Sequence, residues 1–114
     1  MAAAIALAYP PIIQGGMGVA VSDWVLARAV SLRDQLGVVS GTGIDNVFVR
    51  RLQDGDAGGH LRRAMEAFPF TDAVEDALEK YFRPEGRDED EPYRGVPMYR
   101  QVIDRARERL TMLA

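Results

Sequence analysis

The 114-residue chain contains no cysteine, and it has a single histidine, a single tryptophan and a single lysine, Lys80. Without cysteine there are no disulfides, no thiolate nucleophile, no cysteine-ligated zinc and no iron–sulfur cluster. No apolar run approaches the roughly 20 residues that span a bilayer. Residues Met1 to Ala8 are apolar but short and lack a basic start, which makes a poor secretory signal; a cytoplasmic protein is expected. Positive charge is also lacking. Fourteen basic and seventeen acidic residues leave a net charge of -3, so neither nucleic acid nor a membrane is expected as a partner. All basic residues but one are arginine, which reflects base composition better than phosphate binding. What is present is 47% apolar, 27% charged and 8% aromatic, enough for one modest globular core and too apolar for disorder.

Pro10-Pro11 forces an extended entry into Ile12-Ile13-Gln14, which reads as a short strand closed by Gly15-Gly16. Ser22 and Asp23 are caps for a helix over about 23–34, whose apolar residues cover most of its circumference and predict burial. Gly37-Val38-Val39-Ser40 is β-branched and glycine-bounded, so a second strand follows. Strand, helix and strand form one βαβ unit, with parallel strands and a right-handed crossover. Beyond it the pattern turns helical: 46–53 capped by Asp45, then 60–68 stopped by Pro69, and a helix capped by Thr71. Ala73, Val74, Ala77, Leu78, Tyr81 and Phe82 form the apolar stripe of that helix. Arg83 to Gly95 is a polar, acidic loop expected to be mobile. A last helix over 98–113 carries Met98, Val102, Ile103, Ala106, Leu110 and Leu113 on one face. Its other face, with Arg100, Asp104, Arg105, Glu108 and Arg109, reads as solvated, with i,i+4 pairs such as Arg100–Asp104.

Both strands run into glycine-rich turns, Gln14-Gly15-Gly16-Met17-Gly18 and Ser40-Gly41-Thr42-Gly43. Ligands of parallel α/β sheets bind at the carboxyl ends of the strands, so these loops are expected to be neighbours. Glycines let a backbone approach a flat or anionic ligand and offer N–H groups unshielded by a Cβ. The dinucleotide fingerprint is excluded, because Val21 replaces its third glycine and Ser40 stands where its acidic residue belongs.

Pro11 to Gly18, Leu26 to Ser31 and Leu36 to Gly43 together resemble the N-terminal segment of the nitronate monooxygenases, formerly 2-nitropropane dioxygenases. The FMN-dependent enoyl-acyl-carrier-protein reductases are close relatives of that family. The similarity is strong over about 10–45. Arg50 to Arg63 is similar to a subgroup with a helical insertion. The resemblance implies an α/β fold, the N-terminal part of an FMN-binding TIM (β/α)8 barrel, with two parallel strands and then a helical insertion. Residues 1–45 would be the first βαβ unit and 46–114 the helical excursion, with its acidic mobile loop at 84–95. Gly15, Gly16, Met17 and Gly18 would pack against the isoalloxazine ring, with Gly41 and Thr42 beside it.

The implied activity is FMN-dependent oxidation of an alkyl nitronate by O2 to a carbonyl compound and nitrite. A relative that reduces enoyl thioesters, or serves polyketide or polyunsaturated-fatty-acid synthesis, is the alternative enzyme. A barrel needs about 200 residues or more. The chain is therefore expected to be an incomplete part, inactive alone, with its catalytic base beyond residue 114. The remaining strands would lie on the same or a second polypeptide. The rival class is a truncated, non-catalytic chain or helical interaction module.

His60 sits at a helix start after a glycine-rich loop, the place of a surface histidine and not a catalytic base; no Ser/His/Asp arrangement follows from it. The run Asp88 to Glu91 lacks the spacing and glycine of an EF-hand, and Asp54-Gly55-Asp56 lacks supporting ligands, so no metal is expected.

Overall fold

The computed structural model describes residues 9–98 and 104–114. The chain divides into two compact units, Met1–Gly43 and Ile44–Ala114. It is 48% helical and holds no strand or sheet among the described residues. This overturns the expected two-strand start of a TIM barrel.

In the first unit a single parallel bridge, Ile13 to Leu36, stands where the strands were expected. Gln14 N–H donates to Leu36 C=O (2.9 Å) and Leu36 N–H to Ile12 C=O (3.1 Å). The ladder stops because glutamine side chains take the rungs on either side. Ile12 N–H donates to Gln35 Oε1 (2.9 Å) and Val38 N–H to Gln14 Oε1 (3.3 Å). The β-branched run at 38–39 therefore bonds side chain to backbone rather than strand to strand. Helix α1 (Trp24–Ser31) is capped by Asp23, whose side chain accepts Leu26 N–H (3.0 Å). Ser22, the other expected cap, instead points at Val38. α1 was expected to be buried, yet only Ala27 is, while Trp24, Val25 and Leu26 are exposed. The helix rests against Gly37, where an added Cβ would come within 2.0 Å of Ala27 C=O.

The second unit comprises α2 (Ile44–Gln53), a 3-10 turn (Ala57–Gly59), α3 (His60–Glu66), α4 (Thr71–Tyr81) and α5 (Arg105–Leu113). Its core joins Phe48, Val49 and Leu52 of α2 to Met65 of α3 and Ala77 and Tyr81 of α4. Val74, Leu78 and Phe82 of the predicted stripe pack against it, as do Leu110 and Leu113 of α5, while Ala73, the first of the stripe, is half-buried outside this cluster. Thr71 is the first helical residue rather than the cap, which is Phe70. Met98 is 90% exposed and Ala106 is also exposed, so neither joins the apolar face expected of them. Arg100, Val102 and Ile103 lie outside the described residues. Asp104 is the N-cap of α5, accepting Arg107 N–H (3.2 Å).

Polar side chains tie the loop after α4 to α2. Gln53, 3% exposed, donates to Arg94 C=O (2.8 Å) and accepts Arg94 N–H (2.7 Å). Asn46 Oδ1 accepts Val96 N–H (3.2 Å), and Tyr93 donates to Asp54. No helix among the described residues is long and apolar enough to cross a membrane.

Candidate functional site

The two glycine loops of the first unit are neighbours, and Gly16 is where they meet. A Cβ on Gly16 would lie 3.2 Å from Ser40 Cα and 3.6 Å from Val39 C=O. From the Ile13–Leu36 bridge to this meeting point the first segment advances three residues and the second four. One extra residue on one side is the count of a β-bulge, a device that re-aims backbone beside binding sites. Ser40, 5% exposed, fastens the loops together: its hydroxyl donates to Met17 C=O (3.0 Å) and its N–H to Ser22 C=O (2.8 Å). Thr42 N–H donates to Ser40 Oγ (3.4 Å). Gly43, at φ +58, packs on Val19.

The residues expected to face a ligand divide into two kinds. Gly16 serves backbone packing. Gly15 and Gly41 have no atom within 4 Å of where a Cβ would stand, so their faces are bare. Gly18 is in ordinary contact with Val21, and Thr42 is exposed. Met17 holds a left-handed backbone (φ 61) with its side chain 56% exposed. A non-glycine residue there carries a strain of about 1 kcal/mol, the kind stored at sites whose shape is over-determined by their surroundings. The N–H groups of Gly15, Gly16, Met17, Gly18 and Gly41 donate to no described residue.

Backbone N–H groups without a described partner, in the same two loops as the bare glycines Gly15 and Gly41, are of the kind that the polar edge and flat face of an isoalloxazine ring would use. The same residues do not suit its phosphate. Between residues 9 and 43 the only cationic side chains are Arg28 and Arg33; Arg28 belongs to α1, and Arg33 turns back to Ala29 C=O (3.2 Å).

Sequence reasoning missed the two side chains most embedded in this arrangement. Ser22, 1% exposed, donates to Val38 C=O, and Gln14 Nε2 donates to Ser22 Oγ (2.7 Å). A glutamine immediately before the first glycine pair, and a serine closing the apolar run Val19-Ala20-Val21, were the available signals.

Among the described residues the second unit offers no comparable site. His60 is exposed with Nδ1 against Arg63. No group of three or more metal-binding side chains occurs among the described residues. Glu91 pairs with Arg83, whose guanidinium holds its carboxyl below the ordinary range. Asp54 accepts the Tyr93 hydroxyl, and Arg87 stacks on that ring at 3.8 Å. Arg107, which belongs to neither face drawn for the last helix from the sequence, is buried and ion-paired with buried Asp45.

No family model, no curated protein and no solved structure matches the chain. The resemblance to nitronate monooxygenases therefore rests on the quoted residues themselves.

Proposed function

We propose that the paired glycine loops are the flavin-facing element of an FMN-dependent oxidoreductase of the nitronate monooxygenase type. The observation that supports the reading is the juxtaposition at Gly16 and Ser40 of two loops that also carry five backbone N–H groups without a described partner and the bare faces of Gly15 and Gly41. Those donors would bind the polar ring edge, and the absence of a Cβ would let the ring lie close to the backbone. Met17 would rest against the ring, and Thr42 would border it. Bound FMN supplies one-electron chemistry between an alkyl nitronate and O2, ending in a carbonyl compound and nitrite.

The test is an amide NMR titration of the chain with FMN. Shifts confined to Gly15–Gly18 and Gly41, lost in Gly41→Val, support the reading. A spectrum unchanged at millimolar FMN overturns it. An FMN-loaded protein that consumes a nitronate with O2, and not an enoyl thioester with NADPH, separates the two enzyme classes.

A non-catalytic reading is favoured by a different observation: eleven large apolar side chains of the first unit, from Ile12 to Val39, are exposed. On that reading the unit is a docking module, and the same titration with no FMN response is its sign.

A further inference from the structure

We infer that Gln14, with Ser22, is a positioning residue that sets the separation of the two glycine loops by acting as a side-chain rung between them. The inference rests on the flavin reading for the ligand it positions, but the rung itself is a matter of backbone chemistry.

In a parallel ladder running on from the Ile13–Leu36 bridge, the next two bonds would join Val38 N–H to the Gln14 main-chain carbonyl, and Gly16 N–H to Val38 C=O. Neither forms. The Gln14 carboxamide serves both Val38 groups instead: Oε1 accepts Val38 N–H (3.3 Å) and Nε2 donates to Val38 C=O (3.3 Å). A primary amide carries the same donor and acceptor as a peptide unit, so it substitutes chemically for one rung. Its two hydrogens are shared among Val38 C=O, Ser22 Oγ and Gly15 C=O. Ser22 then reaches the second segment twice, through Oγ to Val38 C=O and through its own C=O from Ser40 N–H.

Two consequences follow for the loops. Gly16 N–H, relieved of its ladder partner, donates to no described residue. The second segment is pinned at Val38 and Ser40, on either side of its extra residue, so the bare face of Gly41 is fixed relative to that of Gly15. A ligand spanning both faces would feel any change in this spacing, although neither Gln14 nor Ser22 touches it.

The experiment compares the full chain with Gln14→Met, which keeps length and apolar bulk but removes the amide. Without ligand, Val38 N–H exchange is expected to rise about tenfold in Gln14→Met, the scale of one lost hydrogen bond, while Leu36 N–H exchange holds. Unchanged Val38 exchange overturns the rung whatever FMN does. With ligand, FMN affinity read at Gly15 and Gly41 is expected to fall about tenfold, and the two residues to titrate with smaller shifts. Wild-type binding that persists unweakened in Gln14→Met overturns the positioning role, because a merely structural rung would move exchange alone. A wild type blind to FMN removes the flavin reading and the ligand half of this inference, and Val38 exchange still decides the rung. Should Gln14→Met lose the circular dichroism of α1, Ser22→Ala removes the amide's buried partner and carries the same comparison, with unchanged FMN affinity again counting against the role.

Discussion

At Gly37 an added methyl group would stand 2.0 Å from the carbonyl oxygen of Ala27 and 2.7 Å from its Cα. Helix backbone cannot yield as a side-chain tip does. Gly37→Ala is therefore expected to cost about 3 kcal/mol, at the upper end of overpacking, and to strip α1 from the first unit. Circular dichroism with amide exchange at Ala27 checks it. Gly41→Ala is the control, since open space and an ordinary φ leave its stability within about 0.5 kcal/mol of wild type. Gly16 falls between the two, so a bulky residue there tests backbone packing as much as ligand binding. A second residue-scale prediction concerns Asp45. Its carboxylate faces Arg107, and both side chains are less than a tenth exposed. Asp45→Ala removes the buried carboxylate that faces the Arg107 guanidinium and is expected to lower stability by about 3 kcal/mol, read from the urea midpoint. The pair was invisible in sequence because Arg107 sits among Arg105, Glu108 and Arg109. Charged neighbours on a helix look solvated until a partner from another helix is known.

At the scale of elements, what was legible depended on who supplies the hydrogen bonds. An α-helix closes its own backbone bonds, so the stripe from Ala73 to Phe82 was enough to place α4 and its buried face. The segments at 12–14 and 37–40 needed each other. Their composition suited a strand, but the outcome turned on the Gln14 and Gln35 amides, which outcompete the ladder in a way no propensity encodes. The glycine-rich stretch before α3 shows the same limit. It reads as flexible, yet Asp56 is 2% exposed and accepts the N–H groups of Leu61 and Arg62 and the Arg62 guanidinium. Burial pushes its carboxyl up, but those donors outweigh burial and hold it below the ordinary 3.8. A carboxyl lowered in the fold stabilises above its unfolded value and loses that contribution as pH falls through the folded one. The urea midpoint of the second unit is thus expected to drop as pH falls below about 3.8, with a loss from Glu91 beginning below its ordinary 4.5. Asp56→Asn, which tolerates the left-handed backbone at that position (φ 48), should flatten the part that begins below 3.8. A profile as steep as wild type would assign the acid sensitivity elsewhere.

For the molecule as a whole, the two units solve the burial problem differently. The second encloses a core shared by its helices. In the first, Ala27 is the only buried apolar residue among those described, while Ile13, Val25, Leu32, Leu36 and eight other large apolar side chains, Tyr9 included, are exposed. These side chains leave apolar surface in contact with water along most of the unit's length. Few charges offset it, since residues 9–43 carry only Asp23, Asp34, Arg28 and Arg33. The first unit is therefore expected to bind ANS and to exchange its amides earlier than the second. Val25→Lys with Leu32→Lys should cut the dye fluorescence by roughly half while leaving the urea midpoint of the second unit in place. Dye binding that survives the double variant would move the exposed surface off α1 and onto the loops. That outcome would bear on function, because apolar surface concentrated at Met17, Val19 and Val39 would lie beside the bare glycine faces, where a flat aromatic ligand gains most from being covered.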